Sequence, residues 1–272
     1  MSIHHTELSR MLEAAVVAAR LAGQRAMEEL RYVKKDIKNS NEMVTQADSI
    51  CQKLIIDRIR ESFPDHGFIA EEGADGAFFR IVPRGGEPIW WVIDPIDGTN
   101  NFANGLLCFS VSIAAMVEGK PIVGVIFDPT TDSMYTAAED MDAQLNGSRI
   151  TVSEDDIGPF ASFGVDSHED PQVDAAKQII MAQTRYRCLG STALHMAYVA
   201  KGAMIGMVTV GAKLWDIAAG AILIERAGGV IMNLEGNCPF PLAIDTYHAE
   251  LIQVLATSKK VHKQVHDIFA EK

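Results

Sequence analysis

Cysteine is scarce in this sequence, and the few cysteines form no recognisable metal or redox motif. Four are spread over 272 residues, at Cys51, Cys108, Cys188 and Cys238, without any C-x-x-C pair. This spacing argues against a zinc ribbon and against a dithiol redox site. It favours free thiols in a reducing compartment.

Positive charge is also under-represented. The chain has 24 Lys and Arg against 36 Asp and Glu, a formal net charge of −12, and its basic runs are only pairs. Because a nucleic-acid surface needs a basic footprint, the composition predicts no nucleic-acid partner. The acidity fits either surface charge that keeps a protein soluble or a site that concentrates carboxylates around divalent cations.

Long apolar runs and several familiar motifs are missing. No run reaches the length of a membrane-spanning helix, and residues 1–10 lack a signal-peptide pattern. We therefore expect a cytoplasmic protein without a membrane partner. The sequence contains no Walker A, G-x-G-x-x-G, H-E-x-x-H or G-x-S-x-G pattern, which removes the usual indications of an NTPase, a dinucleotide enzyme, a zincin or a serine hydrolase.

The elements predicted from periodicity alternate between helices and strands. Apolar residues recur at helical spacing from Leu8 to Leu30, and a second helix is predicted from Thr45 to Ile59. Strands are predicted at 68–70, 89–93, 109–117 and 122–127. In the last part of the chain, helices are predicted near 171–183, 191–201, 215–227 and 258–269. They alternate with apolar runs at 204–210, 230–232 and 252–256. This alternation predicts a layered α/β fold. A change of pattern near residue 146 predicts two packed subdomains, residues 1–145 and 146–272, within one structural unit.

The segment from Ile89 to Phe102 is the most informative part of the chain. An apolar strand ends in two carboxylates three residues apart, Asp94 and Asp97, and Gly98 and Thr99 follow directly. The proline between the carboxylates and the glycine after them turn the backbone, so both acids can face one point. Hard divalent cations such as Mg²⁺ prefer oxygen ligands of this kind. An ordinary turn is the alternative, because Asp, Pro and Gly are common turn residues.

Three further acids stand at the ends of predicted elements. Glu71 follows an apolar strand, Asp216 lies where a helix begins, and Asp48 lies three residues after Thr45. Each has a structural explanation: a solvated loop for Glu71, and helix capping for Asp48 and Asp216. The residues alone leave both explanations open.

Taken together, the motifs resemble the inositol monophosphatase family. Residues 70–72 (Ala-Glu-Glu), 94–102 (Asp-Pro-Ile-Asp-Gly-Thr-Asn-Asn-Phe) and 215–220 (Trp-Asp-Ile-Ala-Ala-Gly) look like its three metal-site motifs, in the family's order. Residues 44–48 and 190–193 look like two further family segments. The resemblance covers nearly the whole chain. It implies an αβαβα sandwich with the site between the two subdomains.

The resemblance also implies a function and a set of roles. The expected function is magnesium-dependent hydrolysis of a small phosphate monoester, with inositol monophosphate as the first candidate. Two or three Mg²⁺ ions would be held by Glu71, Asp94, the Ile96 carbonyl, Asp97 and Asp216. Thr99 and Asp48 would orient and deprotonate the nucleophilic water, and Glu71 would help to hold the third ion. The substrate would contact Asp97, Gly98, Thr99, Gly190, Ser191, Thr192 and Asp216.

One departure from the family pattern concerns the substrate. Inositol-preferring members carry an acidic residue a few positions before the Trp-Asp pair, and here that position is Thr209. Fructose-1,6-bisphosphate or another sugar or polyol phosphate is therefore an alternative substrate. A non-catalytic regulatory protein on the same fold is an alternative of another class. The family also implies a homodimer, lithium sensitivity and a site lysine near Lys38.

Overall fold

The computed structural model describes residues 3–32, 35–37, 43–74, 77–85, 88–171 and 173–270. Lys38, the expected site lysine, lies outside these ranges. The helices are α1 (His5–Glu29), α2 (Gln46–Ser62), α3 (Thr99–Ala103), α4 (Asp174–Gln183), α5 (Thr192–Ala200), α6 (Leu214–Arg226) and α7 (His262–Ala270), with short 3-10 turns at Leu30–Tyr32 and Ile244–Thr246. Within the described residues, we find no helix that combines the length and the apolarity needed to span a membrane.

The strands form one large and one smaller sheet, together with a two-stranded hairpin. The strands are β1 (Lys35–Ile37), β2 (Met43–Thr45), β3 (Gly67–Ala70), β4 (Phe79–Ile81), β5 (Ile89–Asp97), β6 (Ser110–Val117), β7 (Lys120–Asp128), β8 (Ser133–Ala138), β9 (Met141–Leu145), β10 (Ser148–Arg149), β11 (Ser162–Val165), β12 (Arg185–Arg187), β13 (Gly206–Ala212), β14 (Val230–Met232) and β15 (Ile252–Thr257). The eight-stranded sheet has the order β10-β9-β8-β7-β6-β5-β3-β4, and the five-stranded sheet has the order β12-β11-β13-β15-β14.

The elements stack as alternating layers of helices and sheets. Helices α1 and α2 pack on one face of the eight-stranded sheet, and α6 packs on its other face. Helix α5 lies beside α6 and also contacts β13 and β15, while α4 and α7 pack together against the five-stranded sheet. This is the αβαβα sandwich that the family resemblance predicts. The middle layer brings α5 and α6 against the ends of β5, which is where the candidate site forms.

Small residues set the close packing that fixes these layers. Helix α1 buries a stripe of alanines, and a Cβ added at Gly23 would lie 2.6 Å from the Phe127 ring of β7. Helix α6 is held equally closely, because a Cβ at Gly124 of β7 would lie 2.6 Å from the Ala219 carbonyl oxygen. A Cβ at Gly220 would lie 2.5 Å from Met196 Sδ of α5. This tight contact holds the first turn of α6 at a fixed place above the large sheet.

Several boundaries differ from those predicted from the sequence. Strand β5 continues past Ile93 to Asp97, so the two acids belong to the strand itself. Strands β8, β9 and β11 were not predicted, because their alternation is short and includes many small or polar residues. The predicted subdomain boundary at residue 146 falls in the hairpin between β9 and β10, and β10 still pairs with the large sheet.

Candidate active site

Three carboxylates converge at the edge between the two sheets. Asp94 and Asp97 come from the carboxyl end of β5, and Asp216 comes from the first turn of α6. One carboxylate oxygen from each residue lies within 4.8 Å of those from the others. Asp94 and Asp97 are buried and Asp216 is half-buried. The sequence motifs of residues 94–102 and 215–220 therefore meet in space as predicted.

An irregularity in β5 turns Asp94 and Asp97 toward the same point. Residues three apart in a regular strand lie on opposite faces of the sheet. The register between β5 and β6 shifts between Asp94 and Asp97, and the Ile96 amide donates to Asp94 Oδ1 at 3.0 Å. A bulge of this kind re-aims side chains next to functional sites. The predicted Pro-Gly turn is thus a distorted strand end followed by Gly98.

Gly98 occupies a position that only glycine fits comfortably. Its φ of +100° lies in the left-handed region. A Cβ there would lie 3.1 Å from the carbonyl oxygens of Cys108 and Gly190. The close approach brings the segment that contains Gly190 against the end of β5. Helix α3 begins directly afterwards, at Thr99.

Asp97 connects the end of β5 to the start of α5. Its carboxylate accepts hydrogen bonds from the Ser191 hydroxyl, from the Thr192 amide at 3.2 Å and from the Ala193 amide at 2.8 Å. Ser191 is also the N-cap of α5, where its Oγ accepts from the Leu194 amide. Burial raises the pKa of Asp97 to about 6, although these hydrogen bonds favour the ionised form.

The other two carboxylates of the cluster are also hard to ionise without a cation. Burial and the nearby charges of Glu71, Asp97 and Asp216 raise the pKa of Asp94 well above its ordinary value. Burial and the charge of Asp97 raise the pKa of Asp216 to about 7. A 2.7 Å hydrogen bond from the Lys213 amide lowers this pKa but does not offset the increase. Like charges this close repel strongly in a poorly solvated place. A bound cation would remove that repulsion.

A second group of residues links Asp48 to Thr99. Asp48 Oδ2 accepts from the Thr45 amide at 2.8 Å, as part of the capping box of α2, and also from the Thr45 hydroxyl at 2.6 Å. Its other oxygen, Oδ1, lies 3.1 Å from the Thr99 hydroxyl, which also lies 3.0 Å from the Ile96 carbonyl oxygen. Burial raises the pKa of Asp48 to about 6. Asp48 thus caps α2, and the same side chain contacts Thr99; its catalytic role stays a prediction.

The remaining predicted site residues line the same cavity of about 290 Å³. Glu71 follows β3 at its carboxyl end and is half-buried, and its amide donates to the Ile93 carbonyl at 3.3 Å. Ile96, Gly190, Ser191 and Thr192 also line the cavity. Asp48 does not line the cavity but contacts Thr99, which does. The other residues predicted for the metal and substrate sites lie around this one cavity, and Lys38 is outside the described residues.

Another strand end, not predicted from the sequence, contributes to this cavity. Asp166, Ser167 and His168 follow β11 and line it, together with His195 and Gly211. The sequence pattern that identified Asp94, an acid directly after an apolar run, is also present at Asp166. Thr209, at the position where inositol-preferring members carry an acid, donates its hydroxyl to Asp166 Oδ2 at 2.9 Å. An acid from a neighbouring strand therefore stands beside the threonine.

The donor set fits magnesium. The cluster consists of carboxylate oxygens, and Ile96 and Glu71 line the same cavity. The two histidines of that cavity, His168 and His195, do not belong to the cluster, and no cysteine among the described residues lines the cavity. Hard cations such as Mg²⁺ prefer oxygen donors, whereas zinc and copper sites use sulfur and imidazole more often. Three converging acids with raised pKa values are a further sign that the fold holds a charge that a cation would balance.

Comparison with known proteins agrees with the motifs. The model of the inositol monophosphatase family matches residues 7–271. The chain belongs to this family. Among solved structures, the IMPase of Thermotoga maritima is similar, with 31% identity, a TM-score of 0.81 and 96% coverage of each chain. The extragenic suppressor protein SuhB of Bartonella henselae has 27% identity and a TM-score of 0.84, covering 95% of this chain and 98% of that one.

Curated relatives within the family carry a different kind of name. The chain is 37% identical over 239 residues to a protein of Pasteurella multocida named Nus factor SuhB. The match covers 85% of this chain and 87% of the relative. That name describes a Nus factor and mentions no enzymatic activity. Family membership thus supports phosphatase chemistry but leaves the substrate and the cellular role open.

Proposed function

We propose that the protein is a magnesium-dependent phosphatase that hydrolyses a phosphate monoester of a small polyol or sugar. The observation that carries the proposal is the convergence of Asp94, Asp97 and Asp216 beside the Thr99–Asp48 pair. A capping or solubility role would not require these acids to meet in one cavity.

The positions of the oxygen donors support the set of metal ligands that the family resemblance implies. Asp94 interacts electrostatically with Glu71, Asp97 and Asp216, and by that resemblance it would be a ligand shared between two ions. Glu71 and the Ile96 carbonyl would complete one site, and Asp97 and Asp216 the other, with Glu71 assisting a third ion. When bound, Mg²⁺ neutralises the charge of the phosphate dianion and lowers the pKa of water.

The remaining groups of the chain have roles that the geometry suggests. The Asp48 carboxylate would accept a proton from the Thr99 hydroxyl, and Thr99 Oγ1 would then accept one from the nucleophilic water. The Gly98 and Thr99 amides, at the end of β5, would bind phosphate oxygens. Ser191 and Thr192 would hold Asp97 in place and border the substrate. Attack of this water on phosphorus breaks the ester P–O bond without a covalent phosphoenzyme, and the leaving alkoxide would take its proton from a second water molecule.

The test of this proposal is phosphate release from a panel of substrates, with and without Mg²⁺. The panel is inositol 1-phosphate, fructose 1,6-bisphosphate, histidinol phosphate and a nucleoside 3′-phosphate. Release that requires Mg²⁺ from any member supports the proposal, and inositol monophosphate is the substrate we expect to be used. Absence of release from all of them, with Mg²⁺ bound, would contradict it.

A second candidate function is a factor role of the kind named in the curated relatives. The supporting observation is 37% identity to Nus factor SuhB over most of both chains. This candidate opposes the expectation, drawn from net charge, that the protein has no nucleic-acid partner. The homodimer, the cytoplasmic location and lithium sensitivity stay predictions from composition and family.

The two candidates can be separated in one genetic experiment. The wild-type chain and Asp94→Asn would be expressed in an Escherichia coli strain that lacks its own Nus factor SuhB, to which the chain is 35% identical. Rescue by both proteins would favour a factor role that needs no catalysis. Rescue by the wild type alone would favour a role that depends on the metal site.

A further inference from the structure

The catalytic cavity has a neighbour that the proposed mechanism does not use. A second cavity of about 690 Å³ lies beside it, and His168 and Gly211 line both. Pockets that bind small molecules fall in this size range, roughly 300–1,000 Å³. The His168 side chain lies between the two cavities. It is largely exposed, with 63% of its surface accessible, so it does not seal one cavity from the other.

A buried ion pair holds the segment that carries His168. Lys177 of α4 donates from Nζ to Asp166 Oδ1 at 2.9 Å and to the His168 carbonyl at 2.6 Å. The other Asp166 oxygen accepts from the Val210 amide at 2.7 Å and the Gly211 amide at 3.3 Å. Because one carboxylate links α4, β11 and β13, the His168 backbone has a fixed position between the cavities.

The His168 ring lies against the backbone of Gly211. A Cβ added to Gly211 would lie 2.6 Å from the ring atoms Cγ and Nδ1 of His168. Any side chain at this glycine would therefore displace the ring. The absence of a side chain at Gly211 thus allows the His168 imidazole to lie between the two cavities.

The second cavity lacks positive charge among its described lining residues. Its charged lining residues are Glu169, Asp170 and Glu235, and His168 stands at its edge. Gln253 donates to Asp170 at 3.0 Å, and Asn233 Oδ1 accepts from the Glu235 and Asn237 amides, so the acceptors that remain for a ligand include Glu169 and Glu235. Val210, Leu234 and Leu251 add apolar surface. A phosphate or carboxylate placed here would be repelled, whereas hydroxyl and ammonium groups would find acceptors.

We infer that the alcohol part of the substrate extends past His168 into this second cavity, and that its far end carries hydroxyl or ammonium groups but no second anion. His168 is then a specificity-determining residue, and Asp166 and Lys177 are positioning residues for it. The inference rests on the proposed phosphatase activity and narrows its substrate class. It disfavours sugar bisphosphates and favours elongated monophosphates.

The test uses phosphate monoesters that differ only in length and in their far end. The long probes are 6-hydroxyhexyl phosphate, 6-aminohexyl phosphate and hexane-1,6-diol bisphosphate, and ethyl phosphate is the short reference. For each probe, kcat/KM is measured with Mg²⁺ at low and at physiological salt. We expect the hydroxyl and ammonium probes to exceed the bisphosphate by about fivefold or more, a preference that salt reduces.

Two variants address the boundary directly. For each protein, kcat/KM for 6-aminohexyl phosphate is divided by kcat/KM for ethyl phosphate. We expect Gly211→Ala to lower this ratio by about tenfold, which corresponds to about 1.4 kcal/mol. In a His168→Ala background the same change should have little effect on the ratio, because no ring is left to displace. Gly158→Ala is the matched control, since a Cβ at Gly158 meets nothing within 4 Å.

The outcomes separate this inference from the proposed function. If inositol 1-phosphate or another sugar or polyol phosphate is hydrolysed but none of these probes is, the inference fails and the phosphatase proposal stands. If neither set releases phosphate, the phosphatase proposal itself fails. If all probes are hydrolysed with equal efficiency, or the bisphosphate is preferred, the second cavity does not select the substrate. A Gly211→Ala effect that persists unchanged without the His168 ring would also overturn the inference.

Discussion

The Thr99 hydroxyl lies 3.1 Å from Asp48 Oδ1, although 51 positions separate the two residues in the chain. The two residues lie at the starts of different helices, α3 and α2. Asp48 is buried, and its second oxygen is fully engaged by Thr45. The oxygen that faces Thr99 therefore has a fixed direction, which is the arrangement that a proton relay needs.

Removing the Thr99 hydroxyl should slow catalysis without removing the metal. We expect Thr99→Ala to lose about 10²–10³-fold in kcat, a typical value for a general acid–base group, while Thr99→Ser keeps most activity. Phosphate release at saturating Mg²⁺ gives kcat, and calorimetry gives Mg²⁺ affinity. A Thr99→Ala protein with normal kcat and weakened Mg²⁺ binding would show that Thr99 does not activate water.

Asp94 should be indispensable for magnesium. We expect Asp94→Asn to lose measurable Mg²⁺ binding at millimolar concentration and nearly all turnover, because it removes a shared ligand. Asp57→Asn is the control, since Asp57 is an exposed residue of α2 whose partner is Lys53. Near-normal turnover in Asp94→Asn would contradict the assigned metal site.

Ser191 should tune the metal site through Asp97. Its hydroxyl donates to the Asp97 carboxylate and its Oγ caps α5, so Ser191→Ala leaves that carboxylate with fewer donors. Groups that orient a ligand in this way typically change metal affinity by about 10–100-fold. We expect Mg²⁺ affinity to fall within this range while the fold is retained. Calorimetry would measure the affinity, and circular dichroism would check the fold.

The metal-free protein should gain stability when an acid of the cluster is neutralised. The pKa of Asp216 is raised to about 7, so its charge opposes folding above that pH and this cost fades as pH falls toward the unfolded value. We expect Asp216→Asn to raise the free energy of unfolding at pH 8 by on the order of 1–2 kcal/mol. The gain should shrink by pH 5. Urea unfolding in a chelator measures it, and an equal gain at both pH values would be evidence against charge as the cause.

His66 should make the fold sensitive to acid. Its Nδ1 accepts a 3.0 Å hydrogen bond from Trp91 Nε1, and burial lowers its pKa from 6.5 to about 4. A depressed histidine pKa stabilises the fold above about 6.5, and the stability is lost as pH falls from there to about 4. We expect His66→Gln to have a shallower fall of unfolding free energy in this window, by up to about 1.4 kcal/mol per pH unit. Identical slopes would show that the pKa of His66 is the same in the folded and the unfolded protein.

The helices of the chain were predictable because their signals are local. Thr45 is the N-cap of α2 as predicted, and α1, α5 and α6 begin and end within a few residues of the predicted bounds. Short strands such as β8 and β11 were missed, because their burial comes from neighbouring layers rather than from their own alternation.

The candidate site was predictable where the chain places acids at strand ends, and the family resemblance gave them roles. Asp94, Asp97 and Asp216 were identified in this way, and the structure brings them together. Asp166 has the same local pattern, yet no family motif pointed to it. Its place in the cavity became visible only when Thr209 and Gly211 were found beside it.

Local signals in the sequence account for the helices, the longer apolar strands, the family and the oxygen-donor character of the site, because capping, periodicity and motifs are properties of neighbouring residues. Which side chains share a cavity depends instead on how the layers pack. The bulge in β5 turns Asp94 and Asp97 together, and Lys177, Asp166 and Gly211 set His168 beside a second space. These relationships join residues from different layers, and their distances depend on how closely the helices and sheets pack.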